Sequence, residues 1–184
     1  MRVFLVGMLL LGFTALGFSQ NKNGEEKDGL MYDETEGVVL SDVIVTSHNA
    51  TYLNNVLDDN TPNRARTMAF KVASYDIKES GEFSKDYDLY EVVFRGVGSE
   101  DSKVIATYDN GGVIIQTLEK FKGIVLPEVI RNAVFNTYPG WALSDTAYVV
   151  SYYNEKKADK KFLVRIKNGK KKKNLKISAT GEIF

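Results

Sequence analysis

Few residues in this chain are placed to do covalent chemistry. His48 is the single histidine, and it sits in the polar run Thr46-Ser47-His48-Asn49. A general base or metal ligand at that position has no second His and no Cys to work with. Asp58-Asp59-Asn60 and the pair Asp86 and Asp88 offer oxygen ligands, but neither lies in the loop of alternating ligands, Gly and distal Glu that a strong Ca²⁺ site needs. Ser151 and the other serines lack a nucleophile-elbow setting. No Gly-rich loop leads from a strand pattern into a helix pattern to cradle phosphate. Asn49-Ala50-Thr51 is a glycosylation sequon in form. The residues therefore point to no catalytic group, no metal site and no cofactor. The alternative, an enzyme or enzyme subunit acting on extracellular polymers, requires two carboxylates that the fold brings face to face.

Binding chemistry is better represented. Tyr138, Trp141, Tyr148, Tyr152 and Tyr153 gather within sixteen residues, and aromatic rings supply contact area at low entropic cost. Strand alternation gives Tyr148 and Tyr152 one face and Tyr153 the other. The rings are core if that first face meets a helix, and a binding surface if it meets solvent. Lys170, Lys171, Lys172 and Lys173 follow Asn168-Gly169, with Lys156, Lys157, Lys160, Lys161, Arg165, Lys167 and Lys176 nearby. Such a block either meets an anionic surface or guards a strand edge against pairing with other chains. The candidate binding surface is accordingly Tyr148, Tyr152, Trp141, Lys170, Lys171, Lys172 and Lys173.

The total charge hides this asymmetry. Lys plus Arg and Asp plus Glu both number 24, yet residues 20–102 hold 17 acidic and 8 basic side chains while residues 155–177 hold 11 basic and 2 acidic. The chain is an electrostatic dipole, which bears on partners more than on fold. With a neutral total and an export address, nucleic acid is not an expected partner.

That address is at the start. Arg2 precedes an apolar run from Val3 to Phe18, and Gly17 and Ser19 take the small positions before a cut at Gln20, the pattern of a secretory signal peptide. The apolar run is followed by no Cys, so no lipoprotein anchor is expected, and no membrane span is expected after cleavage. The chain contains no cysteine anywhere, which removes thiol catalysis and Cys-based metal sites. Residues 1–19 are read as signal peptide, 20–37 as a flexible acidic segment, and 38–184 as one folded domain of secreted or periplasmic protein.

Within that domain the elements must position any site. Val38 to Thr46 reads as a strand, and Thr51 to Leu57 as a second short extended piece. Thr61 and Pro62 open a helix over 62–75, with Ala65, Met68, Ala69, Val72 and Ala73 at helical spacing. Strands are expected at 87–95, 103–108 and 113–119, the last two joined by the hairpin signal Asp109-Asn110-Gly111-Gly112. Pro127 suits a first helical position, and Leu126, Ile130, Ala133, Val134 and Thr137 form a stripe that Pro139-Gly140 terminates. Strands follow at 147–153, 161–167 and 173–179. Helix plus three strands thus occurs twice, at about 60–119 and 125–184, and reads as an internal duplication. Strict alternation in the strands predicts an α+β domain in which both helices pack on one face of an antiparallel sheet and the other face stays open.

Leu126-Pro127, Tyr138-Pro139-Gly140-Trp141, the preceding Ala106-Thr107-Tyr108-Asp109, the Asn-Gly hairpin and the terminal Gly181-Glu182-Ile183 occur in an order that resembles the PepSY-like proteins exported by Bacteroidetes-type bacteria. The fold of that group is similar to the β-lactamase inhibitory protein, and the resemblance covers about residues 60–184. It implies a small secreted or periplasmic protein of tandem α/β repeats, with no known catalytic residues and no defined ligand. Residues and resemblance together point to a non-catalytic exported interaction module. Its open sheet face would bind an envelope protein or small ligand, and its lysine hairpin an anionic surface.

Overall fold

The computed structural model describes residues 47–96 and 99–184. The expected signal peptide, the acidic segment and the Val38–Thr46 strand lie outside them. The described chain is an α+β unit with six antiparallel strands in sequential order. These are β1 (Leu89–Gly96), β2 (Ser99–Asp109), β3 (Ile114–Lys122), β4 (Ala142–Tyr153), β5 (Asp159–Asn168) and β6 (Lys171–Ser178). Three α-helices accompany them: α1 (Ser47–Val56), α2 (Asn63–Ala73) and α3 (Glu128–Thr137). From α2 onward the order is helix and three strands, then helix and three strands, with a short 3-10 turn at Ile77–Glu79.

Helix α1 replaces the extended piece expected at Thr51–Leu57. Asn49, Tyr52, Leu53 and Val56 are its buried positions, spaced three and four apart as one helical face requires. A polar residue opens that stripe, and this concealed the period. The burial is justified by hydrogen bonds: the Asn49 side chain donates to Ala73 O at 3.1 Å and Gly112 O at 3.2 Å, and accepts from Ile114 N at 3.0 Å. Asn49 thus ties α1 to the end of α2 and to the β2–β3 turn. Its amide is enclosed, so the sequon cannot carry a glycan in the folded chain.

The other two helices fall where their stripes place them, with corrections at the starts. Pro62 is itself the cap of α2, at ψ 145°, without a side-chain cap bond. Thr61 instead accepts from Asp58 N at 2.8 Å and closes the preceding turn. Pro127 likewise caps α3 from outside rather than occupying its first turn. In α3 Ile130 and Val134 are fully buried, whereas Thr137 is exposed and bonds back to Ala133 O at 2.8 Å.

Alternation sorts the sheet into two faces. Phe94, Val104, Phe121, Tyr148, Val150, Phe162 and Ile177 point to one side and are each 5% exposed or less. Helices α1 and α2 contact that side through β1, β3 and β4. Helix α3 stands over the same side near β6, since the Lys173 ammonium lies 4.8 Å from the Tyr138 ring at the end of α3 and Lys173 pairs with buried Ile166. On the other side Val93 and Leu118 are 43% and 41% exposed, and Lys120, Lys122, Arg165 and Lys176 are exposed with them.

Turn chemistry fixes the register. Asp109 Oδ1 accepts from Gly111 N at 2.9 Å and Val113 N at 2.8 Å, while Gly112 takes φ 87°, an angle costly for any residue with a Cβ. At the second hairpin Asn168 still pairs with Lys171. Gly169 then takes φ 54° at the first of two loop positions and Lys170 keeps a negative φ, which is a type II′ turn. Strand β4 starts at Ala142, earlier than expected, and tolerates this through a register shift between Leu143 and Asp145.

Candidate functional site

The uncovered side of the sheet is built by every second residue of each strand. Register places Arg95 opposite Lys103, Lys103 opposite Lys120, Lys120 opposite Val149, and Val149 opposite Lys161. This rung of cations therefore crosses five strands. The next rung on the same face is Lys122, Ala147, Leu163 and Lys176, and the one after it Asp145, Arg165 and Asn174. On the other side of the cationic rung lie Val93, Ile105, Leu118 and Ser151.

Over β3–β6 this face is concave. A groove of about 1030 Å³ is lined by Lys120, Lys122, Val125, Leu163, Arg165 and Lys176, among others. Its wall at one end is the segment between β3 and α3. That segment is held by Gly123 N donating to Thr146 O at 2.7 Å and Thr146 Oγ1 donating to Ile124 O at 2.6 Å. Val125 is left 84% exposed on the rim. The carboxylate in the lining is Asp145, which accepts from Arg165 Nη1 at 2.9 Å. A single carboxylate already bound to a guanidinium is not the facing pair that glycoside hydrolysis uses.

The residues singled out in the sequence are divided by the structure. Tyr148 and Tyr152 are 1% exposed and lie beneath the helices. Tyr148 packs on Phe162 and Phe121 at ring separations of 4.8 and 6.4 Å, and Tyr152 meets Tyr52 edge-on at 5.3 Å. They are core and offer no ring to a ligand. Trp141 is half-buried against Tyr138, 6.0 Å away, away from the open face. Tyr153 alone among the described strand aromatics is on the open face, at its edge. The lysine run also splits, because successive strand residues point oppositely. Lys172 shares the open face, Lys171 and Lys173 the helix side, and Lys170 stands in the turn.

His48 lies in the first turn of α1. Asp58 is occupied as a structural acid, accepting from Lys160 Nζ at 2.5 Å, Asn60 N at 2.9 Å and Thr61 Oγ1 at 3.1 Å. Burial works to raise its pKa, but the bond and charge of Lys160 prevail and hold it below the usual carboxylate value. Asp86 and Asp88 are exposed, and no cluster of three or more metal-ligating His, Cys, Asp or Glu occurs among the described residues.

One tuned acid was not singled out by its sequence. Glu119 of β3 is 5% exposed beneath α1 and accepts from Tyr52 Oη at 2.8 Å and Thr117 Oγ1 at 2.7 Å. Its cross-strand neighbours are Val104 and Val150, so no cation stands beside it in the sheet. Burial pushes its pKa up to about 7 against the pull of the two hydroxyls. Its place in the alternation, between inward Thr117 and Phe121, was the available signal. The open-face cations had a similar one, a period of two in Lys120/Lys122 and in Lys161, Arg165 and Lys167.

No protein-family model and no curated protein matches the chain. Among solved structures it is similar to a BLIP-like protein from Bacteroides fragilis, at 20% identity over 55% of this chain and 68% of that one, with a TM-score of 0.31. No helix among the described residues is long and apolar enough to cross a membrane.

Proposed function

We propose that this protein is an exported, non-catalytic binding module that holds a protein or small ligand of the cell envelope on the open face of its sheet. The observation that carries the reading is the bare, concave face over β3–β6, with a floor of Leu163 and Ala147 and a cationic rim. A sheet that covers one side with three helices and leaves a concavity on the other has a surface suited to a partner. Export is supported by Arg2, the apolar run and the small residues before Gln20. The two halves, about 60–119 and 125–184, are read as copies of one unit on the strength of their equal element order.

The test places a photo-crosslinking amino acid either at Leu163 in the groove or at exposed Asn132 on α3. Each variant is then irradiated in native envelope fractions. A discrete adduct from position 163 and none from 132 is the expected result. Adducts from 132 alone would move the binding surface to the helix side and end the open-face reading.

A further inference from the structure

The cationic rung is costly as architecture. Like charges directly opposite one another on neighbouring strands destabilise a sheet, and here Arg95, Lys103 and Lys120 stand in consecutive opposite positions. Edge protection accounts for lysines on a terminal strand. It does not account for Lys103, Lys120 and Lys161, which occupy the interior strands β2, β3 and β5. Nor does the fold neutralise them all. Asp145 and Asp159 are taken by Arg165 and Lys161, and Asp109 is engaged by its own turn. Lys103, Lys120 and Lys176 have no ion-pair partner among the described residues.

Resting on the open-face reading, we propose that the partner presents an acidic polypeptide segment, laid across the strands so that its carboxylates meet the cationic rungs. Charge complementarity selects an anion, and the surroundings select its kind. Lysine ammoniums act as point charges without the fork that reads carboxylate or phosphate bidentately, so they attract an anion while the neighbouring groups and the shape of the face choose its kind. The strand cations here are mainly lysine, and Arg165 is held by Asp145 and by Asn174 at 3.0 Å. A glycan is normally gripped by exposed rings, and this face has Tyr153 at one margin as its described strand aromatic. A lipid surface is flat, whereas Lys120, Lys122 and Lys176 stand around a concavity whose floor is Leu163 and Ala147. That floor receives the apolar side chains of a peptide. Adjacent strands are ~4.8 Å apart, so the span from β3 to β6 is roughly 14 Å, the length of about four extended residues.

The experiment uses the full chain and a fluorescein-labelled eight-residue peptide repeating Glu-Glu-Leu-Leu, which when extended presents both Glu and Leu on each face, read by anisotropy at low and physiological salt. Expected are saturable binding that weakens at least several-fold with salt, and a loss of tenfold or more in Lys120→Glu/Lys176→Glu. Lys170→Glu in the turn should bind as the native chain does. Both lysines of the double variant are exposed, and Lys120→Gln/Lys176→Gln, expected to show an intermediate loss, guards against misfolding in the reversal. Direct binding of a sulfated glycan or of anionic vesicles, with no binding of the peptide, would overturn the proposal in favour of those ligands. Equal peptide binding by the native chain and the double variant would overturn it too. If the Leu163 adduct forms equally in the native and reversed chains, the open face remains the binding site and the acidic partner is refuted.

Discussion

Glu119 makes the pH dependence of stability calculable. In the unfolded chain its carboxyl titrates near the ordinary value of 4.5, and in the folded chain burial moves it up to about 7. The folded state therefore holds this proton more tightly. Its contribution to stability is fully present below pH ~4.5, is lost progressively as pH rises, and is gone above about pH 7. At roughly 1.4 kcal/mol per tenfold change in proton affinity, the loss is about 3 kcal/mol, a sizeable part of the 5–15 kcal/mol stability that is typical of domains. The groups facing it are the Tyr52 hydroxyl from α1 and the Thr117 hydroxyl from its own strand, with Val104 and Val150 on either side. None of these titrates between pH 4 and 8, so the part of the slope that Glu119→Gln removes belongs to Glu119.

Glu119→Gln removes that slope. The amide oxygen still accepts from Tyr52 or Thr117, but its NH₂ enters a site that supplied two donors, which costs about 1–2 kcal/mol. The variant should therefore be less stable than the native chain at pH 4.5 and more stable, by about 1–2 kcal/mol, at pH 8. Tyr52→Phe should act in the opposite sense, weakening the chain more at pH 8 than at pH 4.5, because it removes a donor that matters most to the ionised carboxylate. Urea unfolding followed by far-UV circular dichroism at pH 4.5, 6 and 8 reads both. Parallel stability–pH curves for native and Glu119→Gln chains would refute the assignment.

Two further outcomes test the packing and the ion pair beside it. Lys160→Met leaves Asp58 without its cation, so it should lower stability by about 1 kcal/mol at neutral pH and by progressively less as acid titrates the carboxylate, whose pKa Lys160 holds below the usual value; urea midpoints followed from neutral pH into the acid range check this. Ile130→Asp places an unpaired charge at a fully buried position of α3 and should cost several kcal/mol, whereas Glu91→Lys on the open face should cost about half a kcal/mol. Similar midpoints for those two would reverse the assignment of the faces.

Much of the fold was legible because its signals were local. The stripe Ala65, Met68, Ala69, Val72 and Ala73 places α2, and each of its members is buried. Asp109-Asn110-Gly111-Gly112 places the β2–β3 turn, where the Asp side chain binds the turn amides. Helix α1 was not legible because its inward face begins with Asn49, whose burial depends on acceptors 24 and 63 residues away. Tyr148 and Tyr152 were correctly set on one face by alternation, but alternation does not say which face a helix covers. That waits on the packing of α1, which brings Tyr52 against Tyr152. Glu119 was missed for the same reason, since a glutamate between Leu118 and Lys120 looks solvated until Tyr52 arrives from elsewhere in the chain.

The same physics explains why the most conspicuous charge run in the sequence is not the candidate site. Four consecutive lysines around a hairpin cannot act together. Successive strand residues point to opposite faces, and here one joins the open face, two the helix side and one the turn. Lys173 instead rests its ammonium over the Tyr138 ring at 4.8 Å, a contact that fastens β6 to the end of α3. Cations that act on one partner must be two apart along a strand, about 7 Å, or share a rung across the sheet, where each strand crossed adds about 4.8 Å. Lys120, Lys122, Lys161 and Lys176 meet that condition, although they come from three strands separated by up to 56 positions in sequence. The concentration of charge that matters is created by register, and register is set by the turns at Asp109 and Gly169 and by the shift beside Ser144. A one-residue slip in any of these would send the cations under the helices and the core aromatics into water, so the cost that holds the register also holds the cationic face together.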